Sequence, residues 1–553
     1  MHPSSIHSSP NARTIFRIFI ALVLAYLLPG LIGHDPWKQD ETYIFGIVQH
    51  LLETGDWVVP TLAGEPFMEK PPLYYWVAAG LSHLFHPWLS LHDGARLATG
   101  VFMGITCAAT GWTANRWWGD GRGRTAVLSL LACLGLVYYA HLMITDIPLL
   151  AGFSVAGCGF MLARERSTAA GILIGCGTGI AFLSKGVLGP GVLGTTAALL
   201  PLFFREWRDR KYFVSLAIAF AVSLPWLLIW PVALYLRSYD LFMEWFWVNN
   251  VGRFLGFSVP ELGAGHQDGF WRETLPYFTF PALPLALLTL WHKRASLLRE
   301  APIQFSLLLF GVMMSVLVVS ASARPNYALP LLFPIALVAA PAASELNAKL
   351  DLAWDWIARI LFGMLAAGLW WVWASMMMHH VPPHIESLGR ILPLDFIPSF
   401  ETANFVAAVL LTAGAIGLWI ALPKFSPRGL ISWVCGVALC WGLMATLWLS
   451  WADAAKSYRS VYLEMNRYLP ANHGCIASIG LNESEKGMLR YFLGILTQRK
   501  ELVPNADCPF LLVDGLVSEP PPEVHSDGWK LLWQGARPGD TREQFWLFSK
   551  TPP

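Results

Sequence analysis

Thirteen stretches of about twenty mostly apolar residues recur along this chain, and each is long enough to cross a hydrocarbon layer of about 30 Å as a helix. Lipid offers nothing for unpaired backbone groups to bond, so a spanning segment must be helical or part of a closed barrel. No series of short alternating segments suggests a barrel. The segments lie near 14–33, 95–115, 125–145, 147–163, 168–184, 187–204, 212–236, 274–291, 304–321, 326–343, 354–378, 402–422 and 429–451. A content of 55% hydrophobic and 14% charged residues is far from that of a soluble domain.

Positive charge marks cytoplasmic loops, and Arg13 and Arg17 at the first segment place the N-terminus inside. Alternate loops then carry Arg116, Arg122 and Arg124; Arg164 and Arg166; Arg205, Arg208, Arg210 and Lys211; Lys293, Arg294 and Arg299; and Lys424 and Arg428. Only the loop near 344–353 is poor in such residues. The expectation is thirteen crossings, residues 1–451 as a membrane unit, and residues 452–553 as a small outer α/β domain. The first segment predicts a retained helix rather than a cleaved signal.

Within the outer domain, strand-like runs occur at Cys475–Ile479, Phe510–Val513, Trp529–Trp533 and Gln544–Phe548, with a helix predicted over Ser484–Phe492. Cys475 and Cys508 fall in an oxidising compartment, which permits a bridge. The other six cysteines lie in apolar segments as small hydrophobes. The loops 34–94 and 237–273 also face outward. In the first, Ile44, Ile47, Val48, Leu51 and Leu52 recur at helical spacing, the pattern of a helix lying in the membrane interface; a second such segment follows Pro72. A net charge of +1, with no nucleic-acid motif and no Gly-rich phosphate loop, gives no reason to expect a polyanion partner.

Charge near a membrane is costly and usually functional. Asp40, Glu41, Glu69, Lys70, Asp146, Lys185, Arg253, His266, Asp268, Arg272 and Arg324 all map to the outer ends of segments or to outer loops. Singly, each has a bland reading. Asp40 and Asp146 can cap helices, Glu69 and Lys70 can form a solvated pair, Lys185 can snorkel, and His266 can be an ordinary loop residue. Their occurrence on one face points to one outer site that joins carboxylates for base or metal chemistry to cations for phosphate. A transporter would more often place charges at the midplane among broken, repeated helices.

The strings Gln39-Asp40-Glu41, Glu69 to Trp76 (EKPPLYYW), Thr145-Asp146, Ser184-Lys185-Gly186, Trp247 to Phe254 (WVNNVGRF), His266 and Arg324 to Pro330 (RPNYALP) resemble the bacterial branch of the protein-O-mannosyltransferase superfamily. Within it the chain is most similar to the lipid A 4-amino-4-deoxy-L-arabinose transferases, departing from their pattern at Asn249-Asn250. The resemblance implies a GT-C fold in the bacterial inner membrane. It implies transfer of a sugar from a polyprenyl (undecaprenyl) monophosphate carrier to an acceptor at the periplasmic face, aminoarabinose to lipid A in that branch. A protein O-glycosyltransferase acting on hydroxyls is the alternative. Asp40, Glu41 and Asp146 would be catalytic; Lys70, Lys185, Arg253, Arg272, Arg324 and Tyr327 would hold the donor phosphate. Glu69 and His266 would join at a divalent metal, zinc in the aminoarabinose manner, although two protein ligands are fewer than zinc normally takes.

Overall fold

Helical structure occupies each of the apolar segments in the computed structural model, which describes residues 12–258, 269–379, 396, 398–421, 427–518 and 528–550. Among the described residues seven helices are long and apolar enough to cross a membrane, or nine when each sharply bent pair counts as one span. Three segments expected to be single spans are instead broken. Helix Arg122–Ala132 ends at Cys133, whose extended backbone precedes Leu134–Tyr139. Helices Phe270–Phe278 and Ala282–His292 meet at 88°, and Arg428–Met444 and Leu449–Lys456 at 64°. The first of these bends carries Pro281, which has no N–H to continue a helix.

The helices Asp146–Leu162 and Ser167–Lys185 pack against each other through glycine. A Cβ added to Gly152 would stand 2.7 Å from the carbonyl oxygen of Gly177, and one added to Gly177 would stand 2.6 Å from that of Gly152. Small residues let the two backbones approach this closely, as is common between helices in lipid.

Helix Asp40–Thr54 corrects the expectation of an interfacial helix. Its residues Glu41 to Val48 and Leu51 are buried, and the helix packs against Leu73–Phe85 on one side and Glu483–Leu493 on the other. Protein, not lipid, covers its apolar face. A short antiparallel hairpin, β1 (Thr61–Leu62) and β2 (Glu65–Pro66), leads from it toward Glu69.

The C-terminal end forms a five-stranded mixed sheet in the order β4-β3-β5-β7-β6. Its strands are β3 (Ile476–Ile479), β4 (Gln498–Arg499), β5 (Phe510–Leu516), β6 (Trp529–Gly535) and β7 (Glu543–Lys550), with the helix Glu483–Leu493 between β3 and β4. Three of the predicted strand runs and the predicted helix lie within these elements, and the run Cys475–Ile479 begins one residue ahead of β3; the two-residue β4 is additional. β5 runs parallel to β3 and antiparallel to β7. Alternation along β5 sends Leu511 and Val513 to a small outer cluster with Cys508, while Leu512 joins Phe545, Leu547 and Trp533 in the core that continues into the helical body. Cys475 and Cys508 are disulfide-bonded.

Candidate active site

A cavity of about 340 Å³ opens between the loop ahead of helix Leu73–Phe85, the end of helix Ser167–Lys185 and the turn that carries Arg253. Glu69, Lys70, Lys185, Arg253 and Tyr327 line it, together with Asn249 and Asn250. Local sequence explains the placement of Glu69 and Lys70. Phe67 and Met68 are buried and anchor the loop, leaving Glu69 and Lys70 beyond them. Pro72 then caps the next helix.

Lys185 is the last residue of its helix, where the dipole favours a cation. Gly186 follows with φ of +65°, and a Cβ there would stand 1.9 Å from Oδ1 of Asn250. Glycine is therefore required both by the backbone turn and by the close approach. Asn250 belongs to a π-helical stretch, Glu244–Gly252, in which the side-chain amide of Asn250 donates to the carbonyl oxygen of Trp245, five residues back, at 2.8 Å. Such widened turns recur at functional sites. This one directs Asn249, Asn250 and Arg253 to the cavity wall. Oδ1 of Asn249 and Nε of Arg253 are buried there without a protein partner.

Two connected sets of polar groups frame the cavity. In the first, Lys70 Nζ donates to the Tyr43 hydroxyl at 2.6 Å, which donates to Oδ1 of Asp40 at 2.6 Å. Burial, then the charge of Asp40, pushes the Tyr43 phenol well above its ordinary range, so it remains a proton donor. Asp40 is the first residue of its helix but forms no cap; its carboxylate faces Tyr43 instead. Arg253 pairs with Glu69 at 2.6 Å. Burial opposes ionisation of Glu69, but Lys70 and Arg253 outweigh it and hold the carboxyl below the usual range, with Arg324 adding to the effect.

In the second set, Asp146 is buried and ion-paired with Lys185, and its other oxygen accepts from Asn326 Nδ2 at 3.0 Å. The Lys185 ammonium also lies 3.8 Å over the Tyr327 ring. Asp146, like Asp40, sits in a first helical turn without capping it.

Not every predicted residue meets the cavity: Asp40 and Asp146 lie outside its lining, bonded to Tyr43 and to Lys185. Glu41 is almost fully buried behind the loop, where it pairs with Arg96 at 2.8 Å and accepts from the backbone amides of Trp37 and Met143. Both its oxygens are occupied away from Lys70 and Lys185. Arg324 and Arg272 are exposed and outside the lining. His266 and Asp268 lie outside the described residues. Glu69 has a guanidinium and an ammonium for neighbours, surroundings that oppose a divalent cation, so the described residues do not fit a metal at Glu69. Among the described residues the acidic group with metal-like spacing is Glu485, Asp514 and Glu543, with oxygens within 4.8 Å of one another, and there the Lys38 ammonium already stands against Glu485 and Glu543.

Sequence reasoning passed over Tyr43 and Asn326. Tyr43 stands three residues after Asp40, the spacing at which helix side chains meet. Asn326 sat within the string that carried Arg324 and Tyr327 and gave no separate signal.

A family model described as dolichyl-phosphate-mannose-protein mannosyltransferase matches residues 69–230. The undecaprenyl phosphate-α-4-amino-4-deoxy-L-arabinose arabinosyl transferase of Pseudomonas aeruginosa strain UCBPP-PA14 is 31% identical over 338 residues, 58% of each chain. A second such transferase, from Pseudomonas fluorescens, is 28% identical over 442 residues, 75% of this chain and 71% of the relative. The chain thus spans under three-fifths of the length of the first relative it matches. Among solved structures, ArnT from Cupriavidus metallidurans bound to undecaprenyl phosphate superposes with a TM-score of 0.70 at 17% identity, covering 97% of this chain and 98% of that one. The archaeal oligosaccharyltransferase AglB from Archaeoglobus fulgidus gives 0.50 at 10% identity, over 91% and 69%. The fold is accordingly the GT-C fold, and the chain is similar to the aminoarabinose transferases, as the motifs around Asp40, Lys70 and Arg324 imply.

Proposed function

We propose that the chain is a polyprenyl-phosphate-sugar-dependent glycosyltransferase of the bacterial inner membrane, with thirteen crossings, an active site facing the periplasm and residues 452–553 as a periplasmic domain. The observation that carries this reading is the cavity itself, which sets three cations, Lys70, Lys185 and Arg253, against one carboxylate, Glu69. That balance suits the phosphodiester of a carrier-linked sugar and the phosphate monoester left when the sugar departs. The names of the relatives supply the donor, aminoarabinose on undecaprenyl phosphate, and lipid A is the acceptor that the resemblance implies.

In this mechanism the bond between the sugar's anomeric carbon and the phosphate oxygen breaks while an acceptor oxygen bonds to that carbon. The electron pair of the broken bond stays on the phosphate, where Lys70, Lys185 and Arg253 stabilise it more strongly as charge develops. Asp40 takes the proton of a hydroxyl acceptor or orients an acceptor that is already anionic. Asp146 and Glu69 act behind these groups by holding Lys185 and Arg253. Arg272 and Arg324 stand outside the lining as further cations for an approaching anion.

The test is transfer by purified protein from labelled polyprenyl-phosphate sugars to lipid A and to peptide. Transfer to lipid A supports the aminoarabinose reading, and transfer to peptide alone moves the acceptor to protein hydroxyls. No transfer from any carrier-linked sugar, with folded protein, removes the proposal. A phosphatase fused after Pro553 should be active if the C-terminal domain is periplasmic.

A further inference from the structure

The segment that delivers Asp40 is fastened at its other side to the C-terminal domain. Lys38 Nζ stands 2.6 Å from Oε1 of Glu543 and 3.2 Å from Oε1 of Glu485. Asp514 completes a trio of acidic side chains there, with oxygens within 4.8 Å of one another, and such groups repel one another unless a proton or a cation lies among them. The chain supplies that cation itself. The carboxylates come from rigid elements, Glu485 from helix Glu483–Leu493, Asp514 from β5 and Glu543 from β7. Tyr458 donates to Glu485 at 2.5 Å, and Arg537 pairs with Glu543 at 3.2 Å. The cluster is thus built to receive one flexible partner at a fixed place. Asp40, by contrast, is bonded to Tyr43 within its own helix, so its position relative to the cavity is inherited from where that helix begins.

We propose that Lys38 is a positioning residue for the transfer reaction, pinning the start of helix Asp40–Thr54 to the C-terminal domain so that the Asp40 carboxylate is held in register with the cavity. The proposal rests on the glycosyltransferase reading. Neither Lys38 nor the three carboxylates touch the cavity, so their contribution is to geometry and not to binding the carrier. A misplacement of about 1 Å can cost about a hundredfold in rate.

The experiment uses the full chain in detergent and three variants, Lys38→Met, Lys38→Arg and Lys38→Met with Glu543→Gln. The double variant guards against misfolding, since Lys38→Met alone strands two carboxylates. Turnover and KM for the carrier-linked sugar are measured beside amide hydrogen exchange at Gln39–Thr42, with β5 as the internal reference. The expected result for the folded double variant is a kcat lower by about tenfold to a hundredfold with KM near that of the parent. Exchange should be faster at Gln39–Thr42 and unchanged in β5, and Lys38→Arg should keep most of both properties. Parental kcat, a matching rise in KM, or exchange accelerated equally in β5 overturns the positioning role. If the parent protein transfers no sugar, the glycosyltransferase reading fails on that arm, and exchange at Gln39–Thr42 alone decides whether Lys38 is the pin.

Discussion

Lys70 donates to the phenol of Tyr43 at 2.6 Å and lies 5.0 Å from the centre of its ring. One tyrosine therefore joins the cation expected to meet phosphate to the carboxylate expected to meet the acceptor. Tyr43 in turn bonds Asp40, and the three groups bring together residues that the sequence separates.

The members of this chain should fail differently. Asp40→Asn keeps size and hydrogen bonding but removes the charge, so kcat should fall by about a hundredfold or more with carrier affinity largely kept. Lys70→Ala should weaken carrier binding as well as turnover, because the ammonium meets phosphate before and during transfer. Tyr43→Phe should resemble Asp40→Asn in kind at smaller size. Transfer kinetics and carrier binding on folded protein decide between these patterns, and near-normal turnover by Asp40→Asn would return Asp40 to a purely structural role.

Gly186→Ala should damage the site without removing a polar group. The substitution strains a left-handed backbone and drives a methyl group into Asn250, whose amide is fixed within the π-helical stretch. The expected outcome is carrier affinity reduced by about tenfold, an order set by losing one or two kcal/mol of fit. Unchanged binding by calorimetry would count against the cavity as the carrier site.

Asp514 predicts the pH dependence of the C-terminal domain. Burial, followed by the charges of Glu543 and Glu485, pushes its carboxyl up to about 8, against about 4 in an unfolded chain. Between these values the folded state holds a proton that the unfolded state has released. Stability is thus fully present below about pH 4 and is lost as pH rises through about 8. Asp514→Asn stays neutral throughout, so its Tm should decline less steeply than the parent's from pH 5 to 8. A parental slope in the variant would show that Asp514 does not titrate in this way.

The Cys475–Cys508 bond closes a loop with a sequence separation of 33, for which chain entropy gives a stabilisation of about 3 to 4 kcal/mol. Cys508→Ser should lower the Tm of the C-terminal domain. Because Cys508 packs in the small outer cluster, away from the cavity, transfer below that Tm should be retained.

Apolar length and strand alternation made the helices and the sheet legible in the sequence, since both are local signals. Leu511 and Val513 facing one way and Leu512 the other follow from period two alone. The breaks at Cys133 and Pro281 were less legible, because hydropathy does not register a bend. At the site, shared topology was enough to gather Lys70, Lys185 and Arg253, but it could not separate Asp40 from its neighbour Glu41. That distinction depends on Arg96, 55 positions away, which occupies Glu41 and leaves Asp40 to Tyr43. Lys38 gave no signal at all, its partners being hundreds of residues distant.

The distance along the chain between Lys38 and Glu543, 505 positions, also orders events during synthesis. A ribosome completes all thirteen apolar segments and most of the sheet before β7 appears. Until residue 543 emerges, Lys38 lacks the partner it meets at 2.6 Å. A chain cut short between Tyr327 and Glu543 carries all the cavity's lining residues but cannot close this contact, so β7 completes the fastening of the first loop.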